Sequence, residues 1–366
     1  MRPSPTTAAA FVAANAITAR AATPAIDRRS WLRRAAAGLL AAPGLGGARA
    51  QPSDADTAAL TGPRMPYAAF DRLPTQSVAV TGGVIRIGFG AGEFALPREH
   101  LVAFVSDAAR SVSTYYGRFP SRNTRLLILG TDSPGRAVRS GSAFGHGGAA
   151  IRLVLARSVS ANDLERDWIL VHEMTHLALP SLPRRQHWLE EGIASYVEPL
   201  ARAQAGRLGV QSVWAGMLKG MPLGQPEAGD RGLDHTPTWG RTYWGGALFC
   251  LLADVAMRER STDGRGLQHA LRAILAHANM EQESAVLPLL RIGDDAVGVP
   301  VLSELYERMK DQPAPVDLAA LWQRLGVQLE GDGVTFDEHA PLAALRRAMT
   351  TPLPVCRALK TQRTAA

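Results

Sequence analysis

In the stretch LVHEMTHLALP, residues 170–180, two histidines stand four apart and a glutamate follows the first. Positions i and i+4 share one face of a helix, so His172 and His176 can hold a single ion from two corners. Imidazole nitrogen suits a tetrahedral zinc site. Glu173, one residue along, stands beside such an ion rather than on it. That is where a base must be to take a proton from a metal-activated water. An open catalytic site needs a third protein donor. Glu191 is the candidate, with 14 residues between it and His176. Taken alone, Glu191 and its neighbour Glu190 both read as surface acids, and Glu190 suits that role well.

The elements around these residues must bring them together. SANDLERDWILVHEMTHLAL reads as one helix that opens on a Ser160–Asp163 capping box and stops at Pro180. SLPRR turns the chain, and QHWLEEGIASYVEPLARAQ forms a second helix that runs back beside the first. Upstream, residues 51–75 read as an extended lead-in, and SVAVTGGVIRIGFG as a hairpin about Gly82-Gly83. Leu101, Phe104, Val105, Ala108 and Val112 recur at helical spacing. TRLLILGT and GAAIRLVLA are buried strands, and DSPGRAVRSGSAFGHGG between them is a glycine-rich loop. From Tyr243 onward the chain is mostly helical. Early strands and late helices point to an α+β fold.

At this point H-E-x-x-H followed by WLEEGIASYVE resembles the gluzincin metallopeptidases, nearest to the glycyl aminopeptidase and aminopeptidase N-like families. The resemblance implies a zincin-like, thermolysin-like catalytic domain, with a small mixed sheet followed by a mostly helical C-terminal subdomain. It implies one Zn2+ per chain on His172, His176 and Glu191, with Glu173 as the base. Glu198, seven residues after Glu191, matches a second glutamate of the aminopeptidase N-like families that orients a ligand histidine; a solvated helix acid is the equal alternative. TYWGGALFCLLADVAMRERS is similar to the Y-x-x-G helix of these families, which makes Tyr243 the donor to the tetrahedral oxyanion, with His235 next in line. The chain departs from the larger aminopeptidases in SAFGHGGAAIRLVL, which lacks the acid that grips a substrate's free amine. That departure shifts the expectation toward an endopeptidase. The strand Ala149 to Ala156 is expected at the sheet edge, open to an extended peptide. His146 before it reads as a loop residue without a role.

The 366 residues suffice for one large domain or two modest ones. The net charge of +7 invites a nucleic-acid partner, but seven of the 40 basic residues and one of the 33 acids lie in residues 1–50. The remainder holds 33 bases against 32 acids, which leaves no charge case for DNA or RNA. Arg28-Arg29, Trp31-Leu32, a short apolar run and Ala48-Arg49-Ala50 resemble a twin-arginine export signal cleaved near Ala50. The run is too short and too rich in Gly and Ala to span a bilayer, so no stable membrane insertion is expected. The expected divisions are residues 1–50 as signal, 51–96 as lead-in and hairpin, 97–210 as the zincin subdomain, 211–350 as a helical subdomain and 351–366 as tail. Cys250 and Cys356 either form a disulfide or stay thiols. The function expected is a secreted or periplasmic zinc metallopeptidase acting on peptides. The alternative is a non-catalytic zinc-binding protein of the same fold in envelope binding or assembly.

Overall fold

The computed structural model describes residue 60 and residues 62–353. The export signal and Cys356 lie outside the described residues, and Cys250 is a buried free thiol. The lead-in contains a short helix, α1 (Tyr67–Arg72), where an extended segment was expected. The hairpin follows as β1 (Thr75–Val80) and β2 (Gly83–Phe89), turning at Gly82 with φ +89°. Next come α2 (Arg98–Tyr116), β3 (Asn123–Thr131), β4 (Val138–Phe144) and β5 (Ala150–Ala156). The five strands form one sheet in the order β1-β2-β3-β5-β4. β2, β3 and β5 are parallel, and β1 and β4 are antiparallel edges.

Two expectations are corrected here. The glycine-rich loop contains a strand, β4, and the strand expected at the edge, Ala149 to Ala156, lies inside the sheet between β3 and β4. VRSGSAF lacks the β-branched, alternating pattern that signals a strand. Its glycine has a packing reason. A Cβ on Gly141 would lie 2.4 Å from Cγ of Glu173, so only a bare backbone lets the motif glutamate lie against this strand.

One face of the sheet, with Ile85, Ile87, Leu126, Ile128, Ile151 and Leu153, packs in a core with Leu101, Val105 and Val112 of α2. The other face, with Leu127 and Leu129, is covered by Met65, Phe70 and Leu73 of the lead-in. Each fully buried leucine or isoleucine contributes about 1.5–3 kcal/mol relative to exposure. α2 ends at Gly117, whose φ of +81° allows the left-handed cap.

The expected motif helix is broken in two, α3 (Ala161–Arg166) and α4 (Ile169–His176). The capping box on Ser160 is present as read, but a second cap follows: Asp167 Oδ2 accepts the Leu170 N–H at 3.1 Å and starts a new helix. α5 (His187–Gln204) is the second helix. Then come α6 (Val210–Gly220), a wide helical turn over Arg241–Gly245, and α7 (Gly246–Arg260). α8 (Leu267–His277), α9 (Val286–Val297), α10 (Val301–Met309) and α11 (Leu318–Leu325) follow. The hairpin β6 (Val327–Glu330) and β7 (Gly333–Phe336) and helix α12 (Ala343–Thr350) complete the described chain. Among the described residues no helix is long and apolar enough to cross a membrane.

α5 and α7 fix the frame of the site. They meet at Gly192 and Gly246, where a Cβ on Gly192 would fall 2.3 Å from the Cα of Gly246. One turn after Gly192, Tyr196 donates its hydroxyl to Oδ2 of Asp254, which lies two turns after Gly246, at 2.9 Å, and Arg258 Nε donates to Oδ1 of the same carboxylate at 2.8 Å. A buried carboxylate thus satisfied is retained at little cost, and it holds the helix bearing Glu191 against the one that follows Tyr243.

Candidate metal centre and active site

The histidines face one way because they are one helical turn apart on α4; their rings are 4.9 Å apart. α5 returns alongside and brings Glu191 to both: Oε2 lies 3.1 Å from His172 Nε2 and 3.5 Å from His176 Nε2. One donor atom from each residue lies within 4.8 Å of the others. Two donors at zinc bond lengths in a tetrahedron stand roughly 3.3 Å apart. The two spacings to Glu191 match, and the set of two imidazoles and one carboxylate has the right chemistry. The three residues therefore fit zinc.

The electrostatics agree. Burial opposes a charge on His176, yet the carboxylates of Glu191 and Glu173 outweigh it and raise its pKa to about 9. Burial likewise opposes ionisation of Glu191, but His176 and His172 prevail and hold its carboxyl well below the usual range. The cavity thus demands positive charge beside Glu191, which a proton on His176 supplies in a cation's absence.

Glu173 lies apart from the three donors, against β4. Burial raises its pKa, the charges of His176 and His172 lower it, and the Ala143 N–H donates to its carboxylate. Tyr243 sits on the wide turn, its ring 6.4 Å from that of His172. Burial raises the Tyr243 pKa, helped by the charges of Glu191 and Glu173 and by a hydrogen bond donated to Glu191, so the group remains a hydroxyl donor at ordinary pH. The turn is anchored by Arg241, whose Nε is 2.7 Å from Asp230 Oδ2 in a buried pair. Glu198 is buried and bonded to Arg202 at 2.8 Å, and it feels the charge of His172. It is therefore no solvated surface acid.

His172, His176, Glu191, Glu173 and Tyr243 line a cavity of about 310 Å3 together with residues 140–143 of β4, Trp168, His187, Glu190 and Met280. Sequence reasoning missed His187 and misread Glu190. Glu190 is no free surface acid: Oε1 accepts the Leu182 N–H at 2.9 Å and Oε2 meets His187 Nδ1 at 2.9 Å. The signal for His187 was its position one turn before Glu191 in HWLEEG. Met280 had no signal; it reaches the cavity because residues 280–284 bond back to Leu177 and Ser181. The N-terminus of α5 is pinned by Asp234, which accepts from Trp188 Nε1 at 2.8 Å, Gln186 Nε2 at 2.6 Å and Tyr306 hydroxyl at 3.0 Å. His235 pairs with Asp311 at 2.8 Å and does not line the cavity, so it is no reserve for Tyr243. His146 is exposed and also stands apart from it.

In fold, the chain agrees with the aminopeptidase N group that its sequence resembles. It superposes on an aminopeptidase N family protein from Idiomarina loihiensis with a TM-score of 0.51 and 13% identity, over 70% of this chain and 50% of that one. An M1 zinc metallopeptidase from Deinococcus radiodurans matches at a TM-score of 0.42 and 17% identity, over 66% of this chain and 52% of that one. The chain thus spans about half the length of the solved structures it matches. No family model and no curated protein matches the sequence. The expected preference for an endopeptidase gains no support from a neighbour named for aminopeptidase N.

Proposed function

We propose that the chain is a zinc-dependent metallopeptidase of the gluzincin type with a zincin-like active site, in which residues 97–210 carry the metal site and residues 211–350 form the helical subdomain. The single observation that carries this reading is the convergence on one cavity of His172, His176 and Glu191 at zinc-donor spacing, with Glu173 and Tyr243 beside them. Zinc, when bound there, would supply Lewis acidity to the scissile carbonyl and ease the ionisation of water.

The chain's own residues supply the rest. β4, the last strand of the sheet, offers its backbone edge to an extended peptide. The Glu173 carboxylate, seated against that strand, accepts the proton of the attacking water and passes it to the leaving amine nitrogen. Its raised pKa makes it a better proton acceptor than an ordinary surface carboxylate. Tyr243 donates its hydroxyl to the oxyanion that forms on the substrate. Glu198 is assigned the support of His172. It lies close enough to feel that histidine's charge, and Arg202 holds it in place.

Tyr243→Phe tests the oxyanion role, because it removes one hydroxyl and leaves the ring packed. Turnover should fall roughly 100- to 1000-fold, the effect of losing one such donor, with KM for the same peptide little changed. Cleavage at the wild-type rate would make Tyr243 a packing residue only. The secreted or periplasmic location is proposed from residues 28–50. Arg28→Lys with Arg29→Lys should block export of the full chain, and export at the wild-type level would exclude the twin-arginine route.

A further inference from the structure

His187 stands one turn before Glu191 on α5 and lines the same cavity. Its Nε2 is 3.3 Å from Glu191 Oε1, while Oε2 is the oxygen of that carboxylate that lies nearest His172 and His176. Its Nδ1 is 2.9 Å from Glu190 Oε2, and Glu190 Oε1 accepts the Leu182 N–H at 2.9 Å. Two hydrogen-bonded links and one ion-pair contact therefore run from the backbone of the turn after α4 through Glu190 and His187 to Glu191. Given the zinc site proposed above, we propose that His187 is a positioning residue that grips Glu191 Oε1 from Nε2, so that Oε2 alone is turned toward the metal.

The physical reason is the freedom of a carboxylate. A glutamate carboxylate can rotate about its last bond and offer an ion one oxygen or both; Tyr243 also donates to the Glu191 carboxylate, so His187 shares the hold on it. Held at Oε1, it offers Oε2 in the direction where His172 and His176 already converge. A single oxygen from the chain also keeps the remaining coordination positions open for water and substrate. The Glu190 clasp fixes the imidazole ring from its far side and ties its orientation to Leu182, which follows the motif helix. Helical spacing makes both Glu190, at i+3, and Glu191, at i+4, neighbours of His187 on α5.

A merely structural role for His187 is separable, because its side chain is 53% exposed and little packing is lost on removing it. The test measures Zn2+ affinity of the full chain by competition with a chromophoric chelator, and melting of the zinc-free protein, for wild type, His187→Ala and His187→Gln. The alanine variant should bind zinc about 10- to 100-fold more weakly, the usual cost of removing a partner that orients a ligand. Its zinc-free melting temperature should match wild type. The glutamine variant places an amide N–H₂ near the position of Nε2 and should recover most of the affinity. Alanine binding zinc as tightly as wild type would overturn the positioning role alone, with the zinc site standing. A zinc-free melting temperature lowered equally in both variants, with no recovery of affinity in glutamine, would make His187 structural and overturn it too. A wild-type chain that binds no zinc would remove the zinc site and this role together.

Discussion

Alanine at His172, His176 or Glu191 should each strip zinc from the purified chain, with affinity falling by more than about 100-fold, since removing even an orienting partner costs roughly 10- to 100-fold. Each change deletes one of the three donors that converge at zinc-donor spacing. The effect has a pH signature. His176 is held protonated up to about pH 9 by Glu191 and Glu173 against the opposing effect of burial. Zinc needs the neutral imidazole, so binding at pH 7 must release that proton. Zinc affinity should therefore rise with pH up to about 9 and level off beyond it. The sign follows from the raised value: below it the proton competes, above it there is none to displace. Calorimetry in buffers of different ionisation enthalpy counts the protons released. Alanine at Glu190 is the comparison. It leaves all three donor atoms in place and removes the partner of His187, so it should weaken zinc no more than His187→Ala and not strip it as Glu191→Ala does. The reverse result would show that the wrong carboxylate has been assigned.

Glu173→Gln should keep zinc and lose cleavage. The side chain keeps its size, and its amide oxygen can still accept the Ala143 N–H, so the contact with Gly141 survives. The charge and the proton-accepting capacity are lost. General base catalysis is worth roughly 100- to 10,000-fold, and among the described residues that line the cavity the other acids are engaged: Glu191 with both histidines and Glu190 with Leu182 and His187. Folding should not suffer, because burial disfavours the glutamate's charge and the amide carries none. Zinc content and peptide turnover measured on the same preparation separate the two effects. Loss of zinc along with turnover would show that Glu173 holds the metal site rather than serves it.

Much of the site was legible because its chemistry is written in helical spacing. Residues four apart share a face, and a turn at Pro180 sends the next helix back, so His172, His176 and Glu191 meet as read. His187 obeyed the same spacing rule, one turn before Glu191, and was passed over because the three donors and the base already accounted for the motif. The break at Asp167 was hidden because an aspartate between the polar stretch SANDLER and the apolar run WILV reads as helix interior until its carboxylate is seen to cap Leu170. β4 was the larger loss. A strand is usually announced by β-branched alternation, and the middle of this one is Arg, Ser, Gly, Ser and Ala, with Gly141 required where Glu173 lies against it. Local propensity and site requirement conflict there, and the site prevailed. The place of Ala150–Ala156 in the sheet could not be read for the same reason: with its neighbour taken for a loop, a buried strand passed for an edge.

The most direct measurement is the zinc content of the purified chain together with its cleavage of a broad peptide library, before and after removal and restoration of the metal. The expected result is about one zinc per chain, as a three-donor catalytic site holds, with cleavage that disappears on chelation and returns with zinc. A wild-type chain that carries its zinc and is as inert across the library as Glu173→Gln would contradict peptidase function and leave a zinc-binding protein of the same fold without catalysis.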